Sequence, residues 1–312
     1  MDLPLDPDFR IGFITGTPSK QVAQQTAARA EELGYDSVWV GDHVAFPVPI
    51  LDPLLQLAQL AAYSDRLMLG TAVFLLPLRH PVPVAKQVAT LDLLCGGRLI
   101  FGVGVGGEFP HEYAACGVPI EERGARLSEA IPLLKRLWSG EAVEQAGRFW
   151  SFPSVRMLPA PAQPGGPPVW CGGRSEAALR RIGSMGDGWV SYVVTPEHYV
   201  EGLERIAKSV RACGRDVTRF GSGHLLFICI DDRYEKALDA ASDHLSQRYA
   251  MDFRGPARKY AALGRPEDVA QTIDSFRRAG LRHLIVDPVC RAEVRDEQLE
   301  RFAREVRPLL QR

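Results

Sequence analysis

The dipeptide Asp42-His43 and two glycine-rich stretches contain the residue types best suited to chemistry in this sequence. The glycine-rich stretches are Gly102-Val103-Gly104-Val105-Gly106-Gly107 and Gly172-Gly173-Arg174-Ser175. A histidine beside a carboxylate could form a proton-handling pair, or act as a base towards a substrate hydroxyl group. Glycines allow the backbone to approach a flat ligand closely. Gly-Gly-Arg-Ser before a helix could bind phosphate through backbone N–H groups, although a plain turn with a helix cap has the same pattern.

The first glycine-rich stretch formally matches G-x-G-x-x-G, the fingerprint of dinucleotide-binding folds. A true fingerprint lies in the first βα unit, and its last glycine begins a helix. Here the stretch follows the fourth predicted strand, and Glu108-Phe109-Pro110 comes next where a helix would be required. We therefore interpret the stretch as a backbone surface beside a flat ligand and reject the dinucleotide site.

Short apolar segments that alternate with helical periodicity must position these groups. The predicted strands are Ile11–Ile14, Asp36–Val40, Leu67–Val73, Leu99–Val103, Val169–Cys171, Trp189–Val193, Leu225–Ile230 and Leu284–Val286. The predicted helices are Pro18–Leu33, Asp52–Tyr63, Pro81–Leu94, Glu121–Ser139, Ser175–Ile182, Pro196–Cys213, Arg233–Tyr249, Pro266–Ala279 and Leu299–Leu310. Strands that are each followed by a helix predict an α/β fold with a parallel sheet. Eight such units favour a closed (β/α)8 TIM barrel over a doubly wound open sheet.

Two features interrupt this regular pattern. Pro132 predicts a kink in its helix or a later start of that helix. Residues 140–168 contain an aromatic segment followed by many prolines, and the alternation resumes after them. We therefore expect an inserted segment with a small hairpin after strand four, within a single domain of residues 1–312.

Composition and charge exclude several classes of function. The chain has 312 residues, of which 46% are hydrophobic and 24% are charged, and its formal net charge is −1. These values are typical of a soluble globular protein and give no indication of a nucleic-acid partner. The six cysteines are scattered, and the seven histidines have no metal-binding spacing. Without a signal peptide or a membrane-spanning run, we expect a cytoplasmic, metal-free protein that acts on a small molecule.

A parallel barrel brings the carboxyl ends of its strands together at one mouth, where active sites form. This rule nominates Asp42-His43, Ala72–Leu78 and Gly104–Glu108 after strands two, three and four. It also nominates Gly172–Arg174 and Ser191-Tyr192 after strands five and six.

Several motifs in consecutive order resemble those of the bacterial luciferase-like oxidoreductase and monooxygenase family. They are Asp36–His43, Leu76–Pro81, Leu91-Asp92 with Gly96–Leu99, Gly102–Gly106 with Glu112-Tyr113, and Gly186–Trp189. The amino-acid sequences of these motifs are most similar to those of the branch that depends on coenzyme F420. The resemblance implies a (β/α)8 barrel, usually a homodimer, that binds F420 or flavin mononucleotide (FMN).

The resemblance also implies roles for individual residues. It places a non-prolyl cis peptide at Ala72–Val73, and it makes His43 an active-site acid or base. The implied coenzyme-binding residues are Asp42, Ala72, Val73, Val105, Gly106, Gly107, Cys171, Gly172 and Gly173. The sugar-phosphate dehydrogenases of this branch have an acidic residue after strand one and a lysine after strand six. The corresponding segments here, Thr15–Thr17 and Val190–Pro196, contain neither, so glucose 6-phosphate is not the expected substrate. The loop Gly104–Glu112 is about one residue longer than in the sugar-phosphate enzymes, which blurs the correspondence at Glu108.

These observations predict an F420-dependent oxidoreductase that transfers a hydride between the deazaflavin and a small organic substrate. One alternative is an FMN-dependent luciferase-like monooxygenase. An alternative of another class is a non-catalytic flavin-binding protein that carries the coenzyme without turnover.

Overall fold

The computed structural model describes residues 3–107 and 109–310. In this part of the chain the strands are β1 (Arg10–Ile14), β2 (Ser37–Val40), β3 (Met68–Thr71), β4 (Leu99–Val103), β5 (Ala142–Ala146), β6 (Ser151–Arg156), β7 (Val169–Gly172), β8 (Gly188–Tyr192), β9 (Gly221–Ile230), β10 (Ala262–Gly264) and β11 (His283–Pro288). The helices are α1 (Lys20–Glu32), α2 (Pro53–Ala61), α3 (Pro81–Leu94), α4 (Pro110–Ala115), α5 (Arg123–Leu137), α6 (Glu176–Met185), α7 (Pro196–Ala212), α8 (Tyr234–Tyr249), α9 (Arg254–Tyr260), α10 (Pro266–Arg278), α11 (Arg295–Arg301) and α12 (Arg307–Leu310).

Eight of the described strands pair in parallel and close into a barrel. Their order around it is β1, β2, β3, β4, β7, β8, β9 and β11, and β11 pairs again with β1. The strand β10 lies outside this ring and pairs only with the end of β9, where Ala262 faces Ile228. The closed ring confirms the predicted (β/α)8 fold and excludes the doubly wound open sheet.

The inserted segment contains the predicted hairpin. The strands β5 and β6 form a separate antiparallel sheet between α5 and β7. The helix α5 begins at Arg123, slightly later than the predicted Glu121, and it continues through Pro132 and does not begin at that proline.

The structure corrects several element boundaries. The helix α4 was not predicted. Our expectation that no helix follows the first glycine-rich stretch is therefore wrong. The stretch still cannot be a dinucleotide site, because β4 lies within a closed barrel. The helix α9 was also missed, because its Gly255-Pro256 pair is typical of a turn. The strand β9 begins at Gly221 and not at Leu225, and the last helical segment begins with the polar turn at Arg295.

Two tryptophans fill the lower interior of the barrel. The ring centroids of Trp39 and Trp170 lie 5.8 Å apart, and His283 meets both rings edge-on. A Cβ atom at Gly70 would lie 2.2 Å from Trp39, and one at Gly221 would lie 2.1 Å from Trp170. Glycines on β3 and β9 are therefore required for these rings to fit, and because the rings close this end of the barrel, the carboxyl end is the open mouth.

Candidate active site

His43 follows β2 at the carboxyl end of the barrel and is paired with Glu112 of α4. The His43 Nδ1 atom lies 3.1 Å from Glu112 Oε2. The backbone N–H groups of Val44 and Ala45 donate hydrogen bonds to Glu112 Oε1, the second at 3.2 Å. The Glu112 side chain is 1% exposed, whereas that of His43 is 19% exposed. Because a carboxylate only accepts hydrogen bonds, Nδ1 holds the ring proton and Nε2 is the nitrogen left to meet a ligand.

Two aromatic side chains hold the His43 ring in place. Phe46 stacks on it, with ring centroids 3.9 Å apart and planes inclined by 21°. Phe109 meets the imidazole edge-on at 5.9 Å and packs against Phe46 at 4.5 Å. These contacts limit rotation of the imidazole, so its exposed edge has a fixed direction.

Asp42 has a different partner from its neighbour in sequence. Its carboxylate accepts two hydrogen bonds from Arg79, at 2.6 and 2.9 Å, and one of 2.8 Å from the backbone N–H of Leu75. The Asp42 side chain has no exposed surface, and burial raises its pKa while the Arg79 guanidinium opposes that shift. The proton-handling pair that we considered between Asp42 and His43 is therefore wrong, and Asp42 instead ties the end of β2 to the loop after β3.

The loop after β3 forms one wall of the mouth. The peptide bond between Ala72 and Val73 is cis, as the resemblance implied, and both residues are partly exposed. A Cβ atom at Gly104 would lie 2.4 Å from Val73 Cγ2, and one at Gly172 would lie 3.1 Å from Val73 Cγ1. Our interpretation of the first glycine-rich stretch is corrected at Gly104, which makes room for the Val73 side chain and not for a ligand.

The loop after β4 forms the neighbouring wall. Val105, Gly106 and Gly107 are partly exposed, and the two glycines have φ values of +57° and +115°. A side chain would strain these backbone conformations. The Tyr113 hydroxyl donates a hydrogen bond to the Val105 carbonyl oxygen and thereby ties this loop to α4. Glu108, also nominated from the sequence, lies outside the described residues.

The loop after β7 completes the surface. Gly172 and Gly173 are partly exposed, and Ser175 caps α6 by accepting a hydrogen bond of 3.2 Å from the backbone N–H of Ala178. Cys171 is buried, and burial raises the pKa of its thiol to about 12. The thiol is therefore neutral, and only the backbone of Cys171 is available to a ligand.

The residues predicted after strand six point in two directions. Ser191 is buried, with its hydroxyl 2.8 Å from Nδ1 of His224, and His224 stacks on Phe276 of α10. Ser191 therefore lies between the barrel and its helices, and its nomination to the mouth is corrected. Tyr192 is partly exposed, and the Arg174 guanidinium lies 5.5 Å from its ring centroid.

The partly exposed groups at the mouth come from neighbouring strands. The partly exposed residues Ala72, Val73, Val105, Gly106 and Gly107 come from the ends of β3 and β4, which are adjacent in the barrel. The next strand, β7, contributes the partly exposed Gly172 and Gly173, and β2 with His43 borders β3 on the other side. These small and uncharged groups form a surface that fits a flat coenzyme, with a histidine at its edge.

Sequence reasoning missed the roles of Glu112 and Arg79. Both residues were noticed only as parts of motifs, and neither of their partners was predicted. The residue after Arg79, His80, caps α3 by accepting a hydrogen bond from Val82 N–H. Within residues 3–107 and 109–310 there is no group of three or more potential metal ligands. No helix among the described residues is long and apolar enough to span a membrane.

The closed (β/α)8 barrel brings a histidine, two glycine loops and a non-prolyl cis peptide to the mouth where barrels of this kind have their active sites. The chain belongs to the luciferase-like monooxygenase family, whose model matches residues 9–286. Members of this family are oxidoreductases and monooxygenases that depend on F420 or FMN, so the protein is an oxidoreductase of this class.

The chain is similar to an F420-dependent relative and to a flavin-dependent one. An F420-dependent glucose-6-phosphate dehydrogenase of Kineococcus radiotolerans is 28% identical over 315 residues, which cover 91% of each chain. The oxygenase component of the flavin-dependent trigonelline monooxygenase of Acinetobacter baylyi is 35% identical over 147 residues, covering 46% of this chain and 41% of that protein. The structure of an F420-dependent secondary alcohol dehydrogenase in complex with an F420-acetone adduct matches with a TM-score of 0.84 at 19% identity. It covers 97% of this chain and 99% of that chain, and at this identity it supports the fold alone.

Proposed function

We propose that this protein is an F420-dependent oxidoreductase that acts on a small organic substrate, with His43 as its proton-transferring group. The observation that carries the proposal is the His43–Glu112 pair beside the cis peptide at Ala72–Val73. It combines a fixed, partly exposed imidazole edge with an uncharged wall on the adjacent strand. The similarity over nine-tenths of the chain to an F420-dependent dehydrogenase supports F420 as the coenzyme.

When bound, F420 would supply or accept the hydride. The cis peptide wall at Ala72–Val73 and the facing loop Val105–Gly107 would hold its ring, while the backbone of Cys171–Gly173 would lie near its phosphate-bearing tail. His43 Nε2 would donate or accept the proton that accompanies the hydride. Glu112 would keep Nδ1 protonated, and we assign Asp42 the indirect role of holding the loop after β3.

One alternative is an FMN-dependent monooxygenase, in which the same uncharged surface would hold the flavin ring. The flavin-dependent relative from Acinetobacter baylyi favours it, although the matched region covers less than half of either chain. Another alternative is a non-catalytic flavin-binding protein. The precise partners of His43 argue against it, because a coenzyme carrier has no need for a fixed proton donor.

Separate titrations of the purified protein with F420 and with FMN test the coenzyme. We expect saturable F420 binding, and reduction of bound F420 by one of a panel of alcohols, aldehydes and hydroxy acids, without oxygen uptake. Tight FMN binding without F420 binding would contradict the proposal, and oxygen uptake with reduced FMN would establish the monooxygenase. The variant His43→Asn should bind F420 as the wild type does and lose most turnover. Unchanged binding without any turnover, in both the wild type and His43→Ala, would favour the carrier.

A further inference from the structure

A buried cluster of charges lies in the barrel mouth at some distance from His43. It is centred on Asp287, near the end of β11. Side chains alternate along a strand, so His283, Ile285 and Asp287 point to the same side. His283 contacts the interior tryptophans, and Ile285 belongs to the same buried cluster as these rings. Asp287 therefore points into the barrel, above Ile285, and its side chain is only 3% exposed.

The helix α8 brings a second charge to this place. Its apolar residues Leu238, Ala241 and Leu245 belong to one buried cluster with Leu225 and Phe227 of β9. The last two residues lie on the same side of β9, which is the barrel interior. The helix α8 therefore packs over the upper end of β9 and covers part of the mouth.

Two arginines from different helices meet at the Asp287 carboxylate. Arg248 of α8 donates a hydrogen bond of 2.6 Å to Oδ2, and Arg295 of α11 donates one of 3.2 Å to Oδ1. The same Arg248 guanidinium lies 2.9 Å from Nε2 of His244. Arg295 also donates to the carbonyl oxygen of Ile14 at the end of β1. The arginine side chains are 25% and 23% exposed, so neither is fully enclosed by the protein.

The charges in this cluster do not balance. Burial alone would raise the pKa of Asp287, but the two guanidiniums outweigh it and lower that pKa, so Asp287 supplies one negative charge. Burial lowers the pKa of His244, which is therefore neutral and accepts from Arg248. Among the described residues neither arginine has a second carboxylate partner. One positive charge remains, largely removed from water, and such a charge is costly unless an anion compensates it.

We propose that Arg248 and Arg295 form a subsite for an anionic group of the substrate, a carboxylate or a phosphate. Guanidinium groups bind the planar oxygens of carboxylates and the oxygens of phosphates through paired, charge-assisted hydrogen bonds. Asp287 holds both arginines in place and limits the strength of the subsite by offering a competing carboxylate.

The position of the cluster in the ring of strands favours substrate over coenzyme. In the order of the eight barrel strands, β11 lies opposite β4, whose loop forms a wall of the proposed coenzyme surface. One strand, β1, separates β11 from β2 and His43. Neighbouring strands are about 4.8 Å apart, so the anionic group would lie roughly 10 Å from the strand that carries the histidine. A substrate of moderate length could then reach His43 with its other end.

This inference rests on the proposed function for the identity of the site, and anion binding can be measured without turnover. Calorimetric titration with inorganic phosphate, and separately with acetate, should be done with and without saturating F420. We expect Arg248→Gln to weaken anion binding at least tenfold. The variant Asp287→Asn should strengthen it several-fold, because the competing carboxylate is removed. The control Arg291→Gln, which removes an equal charge from an exposed residue without an ion pair in the described structure, should change nothing.

The opposite signs of the two variants separate a binding role from a structural one. Each variant removes one member of the same buried cluster, so a purely structural cluster predicts lower thermal stability in both and no opposed change in anion affinity. Equal affinities in Arg248→Gln and the wild type would overturn the inference, and so would competition between F420 and either anion. The ratio of phosphate to acetate affinity tells which anion the subsite prefers. Loss of F420 binding with retained anion binding would contradict the proposed function alone.

Discussion

Replacing Glu112 by Gln tests the proposed positioning of His43 most directly. The amide oxygen of Gln can still accept the backbone hydrogen bonds from Val44 and Ala45, which Glu112 Oε1 accepts in the structure. The amide nitrogen that replaces Oε2 is a donor, and it cannot accept the proton on His43 Nδ1. A hydrogen bond to a charged group contributes about 1.5–3 kcal/mol. If the whole contribution acts on the orientation of His43 in the transition state, kcat falls roughly 10- to 150-fold.

Nitrogen-15 NMR of the histidine ring measures the effect independently of turnover. In the wild type we expect the tautomer protonated at Nδ1, and in Glu112→Gln a shift of population towards protonation at Nε2. Turnover should be measured with the substrate found in the F420 screen. The KM should change by less than about threefold, because Glu112 is buried and does not contact the substrate. Glu121→Gln is the matched control, since Glu121 is exposed.

The free energy of unfolding distinguishes this effect from general damage. Both backbone N–H groups keep an acceptor, so Glu112→Gln should cost about 1 kcal/mol or less. The reasoning would be refuted by a variant with wild-type kcat and an unchanged histidine tautomer. A loss of kcat that follows the loss of folded protein would equally contradict it.

Three further predictions concern the packing and charges around the mouth. Gly104→Ala should cost about 1–3 kcal/mol and weaken coenzyme binding, since the new methyl group overlaps Val73; Val73→Ala in the same chain should restore stability in thermal melts. Arg79→Met should cost about 3 kcal/mol in urea unfolding at pH 8, because it leaves the Asp42 carboxylate buried without its cation. The cost should shrink at pH 5, since protonation relieves the unpaired charge. Burial lowers the pKa of His224 to about 3 from 6.5, so the folded protein binds fewer protons than the unfolded chain between these values. His224 should therefore contribute a loss of stability of about 1.4 kcal/mol per pH unit between pH 6.5 and pH 3, and His224→Gln should remove that contribution while leaving the similar one of His283, whose pKa burial also lowers to about 3.

The fold was predictable because each barrel strand is a short apolar segment with turn residues at its ends. The boundaries of β4 were predicted correctly, and those of β2 within one residue. The start of β9 was missed because Gly221 and Gly223 are typical of a turn. In the structure a Cβ atom at either position would overlap Trp170. These glycines look like part of a turn in the sequence, but they are required by a contact with a tryptophan on another strand.

The position of His43 was predictable from the strand-end rule, but its partner was not. Glu112 lies 69 residues further along the chain, on a helix of six residues that is too short to show a periodic pattern. The position of Asp287 was within reach of the same rule. The predicted strand ended at Val286, two residues before its end in the structure, and the residues that follow it were not considered as candidates. Arg248 had no signal in the sequence, since nothing local shows that α8 packs over the mouth.

The two proposals together divide the mouth into an uncharged half and a charged half. The reacting end of the substrate would lie between the coenzyme surface and His43, while Arg248 and Arg295 would hold its anionic end about two strand spacings away. Binding energy gained at a remote group can be used to orient the reacting group, and a substrate without that group then loses kcat as well as affinity. A neutral analogue of the true substrate should therefore be a poor substrate even at saturation. Adding free phosphate or acetate would not restore it fully, because an unattached anion fills the subsite without orienting the reacting end.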